Sequence, residues 1–133
     1  MYGNATRPRA RRPLCLLLAP LALLSGCATA NFVPTGGTAP ARSEDCPIEV
    51  FSSQRPDRAY VELGILEGQG SLGKESLRDV LPELKKEACR AGGDAIILGT
   101  SQISAKVMGS GDGFIGLRDE LNVTATVIRW TGS

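Results

Sequence analysis

Histidine is absent from all 133 residues. Without an imidazole, histidine general bases, Ser-His-Asp triads and histidine-ligated zinc are excluded together. Cysteine is scarce, at positions 15, 27, 46 and 89 alone, and none of these stands in the C-x-x-C spacing of a dithiol redox centre. The leading apolar run, residues 14–24, has eleven residues, well short of the ~20 that a helix needs to cross a bilayer. Pro20 inside it weakens a spanning helix further. Beyond residue 26 there is no long basic run, so the chain carries no electrostatic footprint for nucleic acid.

What is present at the start has a clear order. Residues 1–13 hold Arg7, Arg9, Arg11 and Arg12 and no acid. The short apolar run follows, which fits an export signal rather than a folded element. It closes on Leu24-Ser25-Gly26-Cys27, which resembles the lipobox of bacterial lipoproteins. By that resemblance, residues 1–26 are a signal peptide, Cys27 becomes the first mature residue, and its thiol carries a diacylglycerol. A single acyl chain binds only marginally, at about 0.8 kcal/mol per buried CH₂, whereas the two or three chains of a processed lipoprotein hold. Ala28, where an inner-membrane lipoprotein of this kind has Asp, implies the outer membrane. Processing would leave 107 residues and move the net charge from +1 to −3.

Residues 27–45 are expected to be a lipidated, flexible tether. They are rich in Ala, Thr, Gly, Pro and Ser, and Pro34, Gly36, Gly37 and Pro40 interrupt any regular element. Residues 46–133 are then expected to be a single periplasmic α+β domain. Residues 48–51 alternate as a short strand. Residues 60–67 alternate as a second, with Val61, Leu63 and Ile65 on one face. From residue 76 the period changes to that of a helix, with Leu77, Val80, Leu81, Leu84, Ala88 and Ala91 along one side. Ser76 and Asp79 have capping-box spacing, Gly92-Gly93 supplies a left-handed stop, and Pro82 predicts a kink or a late start. A third strand is expected over 95–108 and a fourth over 120–130, joined by a glycine-rich hairpin tip. Leu121, Val123, Ala125 and Val127 would face inward. The economical fold is a four-stranded, largely antiparallel sheet with one amphipathic helix on one face, in the order β-β-α-β-β.

Two cysteines remain once Cys15 and Cys27 are assigned. In an oxidising envelope, Cys46 and Cys89 are expected to pair, the alternative being two buried, inert thiols. Gly68-Gln69-Gly70-Ser71-Leu72-Gly73 matches G-x-G-x-x-G, and Gly68 to Lys74 is nearly a P-loop, with Glu75 where a magnesium-binding hydroxyl belongs. Bare amides before a helix do attract phosphate. Yet the domain has too few elements for a doubly wound sheet, so a glycine-rich connection is the better reading. Asp119 and Glu120 point to opposite faces of a strand and make a poor catalytic pair. Trp130 reads as an edge-packing aromatic.

Residues 91–98, Ala-Gly-Gly-Asp-Ala-Ile-Ile-Leu, followed by Leu121-Asn122-Val123-Thr124-Ala125, give a layout that resembles the Rcs stress-sensor lipoproteins and the wider YbjQ-like α+β domains. The resemblance implies the fold, the outer-membrane setting and a role in envelope stress signalling. The sensor's cysteines in the late loop and strands have no counterpart here. The expectation is therefore a non-enzymatic, outer-membrane-anchored protein, without cofactor or metal, whose wet sheet face binds an envelope protein through Asn122, Thr124 and Thr126. A small-ligand or metal-binding oligomer of the YbjQ-like kind, and a structural envelope component, are the alternatives.

Overall fold

The computed structural model describes residues 27–52, 54–109, 111–113 and 115–132, so the expected signal peptide, residues 1–26, lies outside the described residues. The described chain runs β1 (Ala28–Pro34), β2 (Glu49–Phe51), β3 (Tyr60–Ser71), α1 (Leu77–Arg90), β4 (Ala95–Gly109) and β5 (Ile115–Trp130). The strands form one five-stranded sheet in the order β1-β3-β5-β4-β2. β1, β3, β5 and β4 are mutually antiparallel neighbours, while β2 joins the far edge parallel to β4. The architecture is therefore α+β, with one helix and a mixed sheet. It departs from the expected four strands by one strand and by the parallel pairing at the edge.

The extra strand comes from the stretch expected to be a flexible tether. β1 pairs with β3 along its whole length, from Ala28 opposite Gly70 to Pro34 opposite Gly64. Ala28, Ala30 and Phe32 pack against the core. Pro34 ends the strand, at an edge where a missing donor is tolerated. The remainder, residues 35–45, forms a strap rather than a spacer. The Arg42 amide donates to the Cys89 carbonyl at 2.9 Å. Its guanidinium donates to the Gly93 carbonyl at 2.9 Å and to Asp94 at 2.8 Å. Glu44 pairs with Arg90. These contacts satisfy carbonyls that a helix end leaves unpaired, and they hold residues 28–45 in the domain.

α1 lies chiefly over β1 and β3. Val80, Leu84, Ala88 and Cys89 are buried on its inner side, as the 3.6-residue period predicts, whereas Leu77 is exposed. The Ser76 hydroxyl donates to the Asp79 carboxylate and makes no bond to a backbone N–H, so the hydroxyl's part of the expected capping box is replaced by a bond between the two side chains. Pro82 sits inside α1, which runs from Leu77 to Arg90 as one element. At the far end Gly92 takes φ +81°. Its amide donates to Cys89 at 3.0 Å and that of Gly93 to Ala88 at 2.9 Å, the two bonds of a Schellman stop.

β3 shows why the inward phase was misread. Its register shifts between Glu62 and Gly64, so the inward side carries Leu63 and then Leu66, Gly68 and Gly70. Val61 and Ile65, expected inside, are exposed. The two glycines let the helix close on the sheet. A Cβ at Gly68 would come within 2.6 Å of Val80, and one at Gly70 within 1.9 Å of the Lys74 carbonyl oxygen. The G-x-G that suggested phosphate binding thus lies within a strand, where its role is close packing. β5 keeps Leu121, Val123, Ala125 and Val127 in the core as expected.

Cys46 and Cys89 are joined, with S–S at 2.04 Å and a sequence separation of 43. The bond ties the end of the strap to the last turn of α1. Trp130 is an edge-packing aromatic: Phe51 and Tyr60 meet it edge to face at 6.1 and 6.4 Å, and the Arg58 guanidinium lies 5.0 Å from its ring centre.

Candidate functional site

Among the described residues one helix lies on one face of the sheet, and none covers the middle of the other face. Period-two alternation sends the partners of the core residues there, in rows set by the register. Gln69, Asn122 and Gln102 make one row, because Gln69 pairs with Asn122 and Asn122 with Gln102. Glu67 and Thr124 begin the next. Ile65, Thr126 and Ile97 form a third. The face is therefore polar towards the start of β1 and more apolar towards the middle of the sheet.

The β4 register shifts between Leu98 and Ser101, and this bulge shapes the polar part. The Thr100 amide donates to the Thr124 hydroxyl at 3.1 Å, and that hydroxyl donates back to the Thr100 carbonyl at 3.4 Å. Gly99 leaves the space above Thr124 open; a Cβ there would stand 2.9 Å from the Thr124 hydroxyl. The result is a depression of about 420 Å³ lined by Glu67, Gln69, Thr100, Gln102, Asn122 and Thr124. Asn122 also donates to the Ser104 hydroxyl at 3.4 Å.

Of the three residues expected to meet a partner, Asn122 and Thr124 line this depression, and Thr126 lies in the adjacent row. Much of the Thr124 hydroxyl's capacity goes to holding the bulge, leaving Asn122 as the freer group. The sequence reading missed Glu67, Gln69, Thr100 and Gln102. Glu67 and Gln69 could have been found as the polar alternates of Leu66, Gly68 and Gly70, but glycines on the inward side gave no apolar signal. Gln102 needed the bulge, which reverses the phase of β4. Amides, two threonine hydroxyls and one carboxylate on a shallow face suit hydrogen bonding to a peptide or protein surface. Among the described residues, no group of three or more Cys, Asp or Glu side chains comes together in a way that could hold a metal ion.

Cys27, the expected acylation point, is exposed. It directly precedes β1, and its carbonyl accepts from the Ser71 amide at 3.0 Å. Among the described residues no helix is long and apolar enough to cross a membrane.

No family model matches the chain, and no curated protein matches it. Among solved structures it is similar to the crystal structure of a Francisella virulence factor, FvfA, at 15% identity and a TM-score of 0.42, over 74% of this chain and 96% of that one. At that level neither a family nor a role passes from that protein to this one.

Proposed function

We propose that this chain is an outer-membrane lipoprotein, anchored through lipid on Cys27, whose periplasmic domain binds an envelope protein without itself being an enzyme. The observation that carries the reading is the open polar face around Asn122 and Thr124, opposite the only helix among the described residues. The lipobox-like Leu24-Ser25-Gly26-Cys27 supports the anchor, and the Cys46–Cys89 cystine suits an oxidising compartment. Since β1 starts at Ala28, an acylated Cys27 would seat the domain directly on the lipid surface, with no spacer. By the resemblance to stress-sensor lipoproteins, the bound protein is proposed to belong to an envelope signalling relay.

Photo-crosslinking in growing cells tests the reading. A reactive side chain at Asn122 or Gln102 is expected to trap a specific envelope protein, and one at Arg78, on the exposed side of α1, is not. Sheet-face probes that trap nothing, or that trap the same proteins as the Arg78 probe, contradict it. The concavity also favours a second reading, a small polar ligand held in an oligomer. Native mass spectrometry separates the two, since a symmetric oligomer carrying bound mass belongs to the second alone.

A further inference from the structure

β3 ends at Ser71, opposite Glu120, and Glu120 in turn pairs with Ser104. β4 and β5 do not stop there. Residues 105–109 and 115–119 continue the pairing with each other alone, as a two-stranded arm about 16 Å long beyond the end of β3 and the helix packed on it. Directly opposed residues of an antiparallel pair share a face. Ile103 opposes Leu121, Val107 opposes Leu117, and Ile115 follows in the same phase. All four aliphatic side chains therefore continue the core face of the sheet past the helix that covers it. They are 67% (Ile103), 65% (Val107), 76% (Leu117) and 74% (Ile115) exposed. The opposite face of the arm carries Lys106 opposite Arg118, with Lys106 3.6 Å from Glu120.

Such an arm carries the four aliphatic side chains on one side, with Asp119 opposite Ala105 among them, and Lys106 and Arg118 beside Glu120 on the other; an isolated ribbon of this kind is marginal in water. Its position indicates what covers it. Cys27 is bonded to Ser71 at the same end of the sheet from which the arm projects. Leu72, exposed and in the left-handed conformation at φ 59°, stands at that end too. The apolar run of residues 14–24, or the lipid that replaces it, joins the domain there as well.

We propose that the β4–β5 arm is a membrane-seating element, which lays Ile103, Val107, Ile115 and Leu117 against a phospholipid surface and turns Lys106 and Arg118 to the headgroups and water. This rests on the membrane setting proposed above. The unpaired edges of a two-stranded ribbon exclude it from hydrocarbon. It therefore lies along the interface, as amphipathic surface elements do, with its cations near anionic headgroups.

The test uses the full chain, recovered as its bacterial host processes it and placed in phosphatidylethanolamine–phosphatidylglycerol vesicles. Nitroxide labels are introduced through Val107→Cys, Leu117→Cys and Lys106→Cys at exposed positions and Arg118→Cys at a half-buried one, against the parent chain as blank. Labels at 107 and 117 are expected to collide severalfold more with lipid-soluble oxygen than with an aqueous nickel chelate, relative to those at 106 and 118. Equal exposure of all four to the chelate overturns the proposal. So does shielding at 107 and 117 accompanied by spin–spin broadening, which places a second copy on the arm instead of lipid. The N-terminal mass of the same sample keeps the two claims apart. Lipid contact at 117 with an unmodified Cys27 removes the anchor and leaves the arm, and an acylated Cys27 with 117 in water does the reverse.

Discussion

The Ser71 amide donates to the Cys27 carbonyl at 3.0 Å, so the residue with the lipobox signature is already tied to the sheet. Nothing pliable separates it from the folded body. The alternate amides of residues 28–33 that bond to β3 are accordingly expected to exchange slowly with solvent, over the range set by local opening of a paired edge strand. A spacer would exchange at the rate of an unfolded peptide, and nuclear magnetic resonance on the exchanging protein tells the two apart.

The cystine closes 43 residues of chain. In the chain-entropy model such a loop stabilises the fold by roughly 4 kcal/mol. Replacing Cys46 and Cys89 together by Ala should lower the urea midpoint by an amount close to that produced by reducing the parent protein. A midpoint unchanged by both treatments would show that the strap and helix are held by their other contacts alone.

Asp94 serves two partners. One carboxylate oxygen takes the Arg42 guanidinium at 2.8 Å and the other the Trp130 amide at 3.0 Å. Asp94→Ala strands both donors and should cost about 1–3 kcal/mol, while Arg42→Ala, which leaves the Trp130 bond in place, should cost less. Both sites are partly open to water, which moderates the charge term. Equilibrium unfolding of the two variants gives the order directly.

Gly70→Ala drives a methyl group to 1.9 Å from a backbone oxygen, whereas Gly68→Ala meets the Val80 side chain at 2.6 Å. Side chains give way more readily than backbone, so Gly70→Ala should be the more damaging, with overpacking of this kind costing about 1–3 kcal/mol. Thermal melts of the pair check the ranking.

Those glycines also account for what the sequence concealed. The helix, its Gly92-Gly93 stop, the inward phase of β5 and the cystine were all legible, because each rests on local period, on turn chemistry or on counting thiols. The phase of β3 was not, since its inward side is half glycine and a register shift follows Glu62. β1 was hidden by Ala-Thr-Ala-Asn, whose small side chains resemble a linker until a distant strand pairs with them. Of the polar face, Asn122 and Thr124 could be read from clean alternation in β5. Gln102 depended on a bulge that no local pattern announces.

The Ser76 hydroxyl, with help from Lys74, holds the Asp79 carboxyl below the usual aspartate range. The unfolded chain therefore binds this proton more readily than the folded one. The contribution is present above the ordinary aspartate value and fades as pH falls through the folded-state value. Ser76→Ala should move the Asp79 titration upward, as followed by carboxyl-carbon chemical shift, and an unmoved titration would remove the hydroxyl as the cause.

The setting of the whole domain turns on the chemistry at one sulfur. Intact-mass and fragment analysis of the protein extracted from bacterial envelopes should give a chain that starts at Cys27 and bears diacylglycerol on that thiol. A chain that retains residues 1–26 and carries a bare Cys27 would contradict the account at its root.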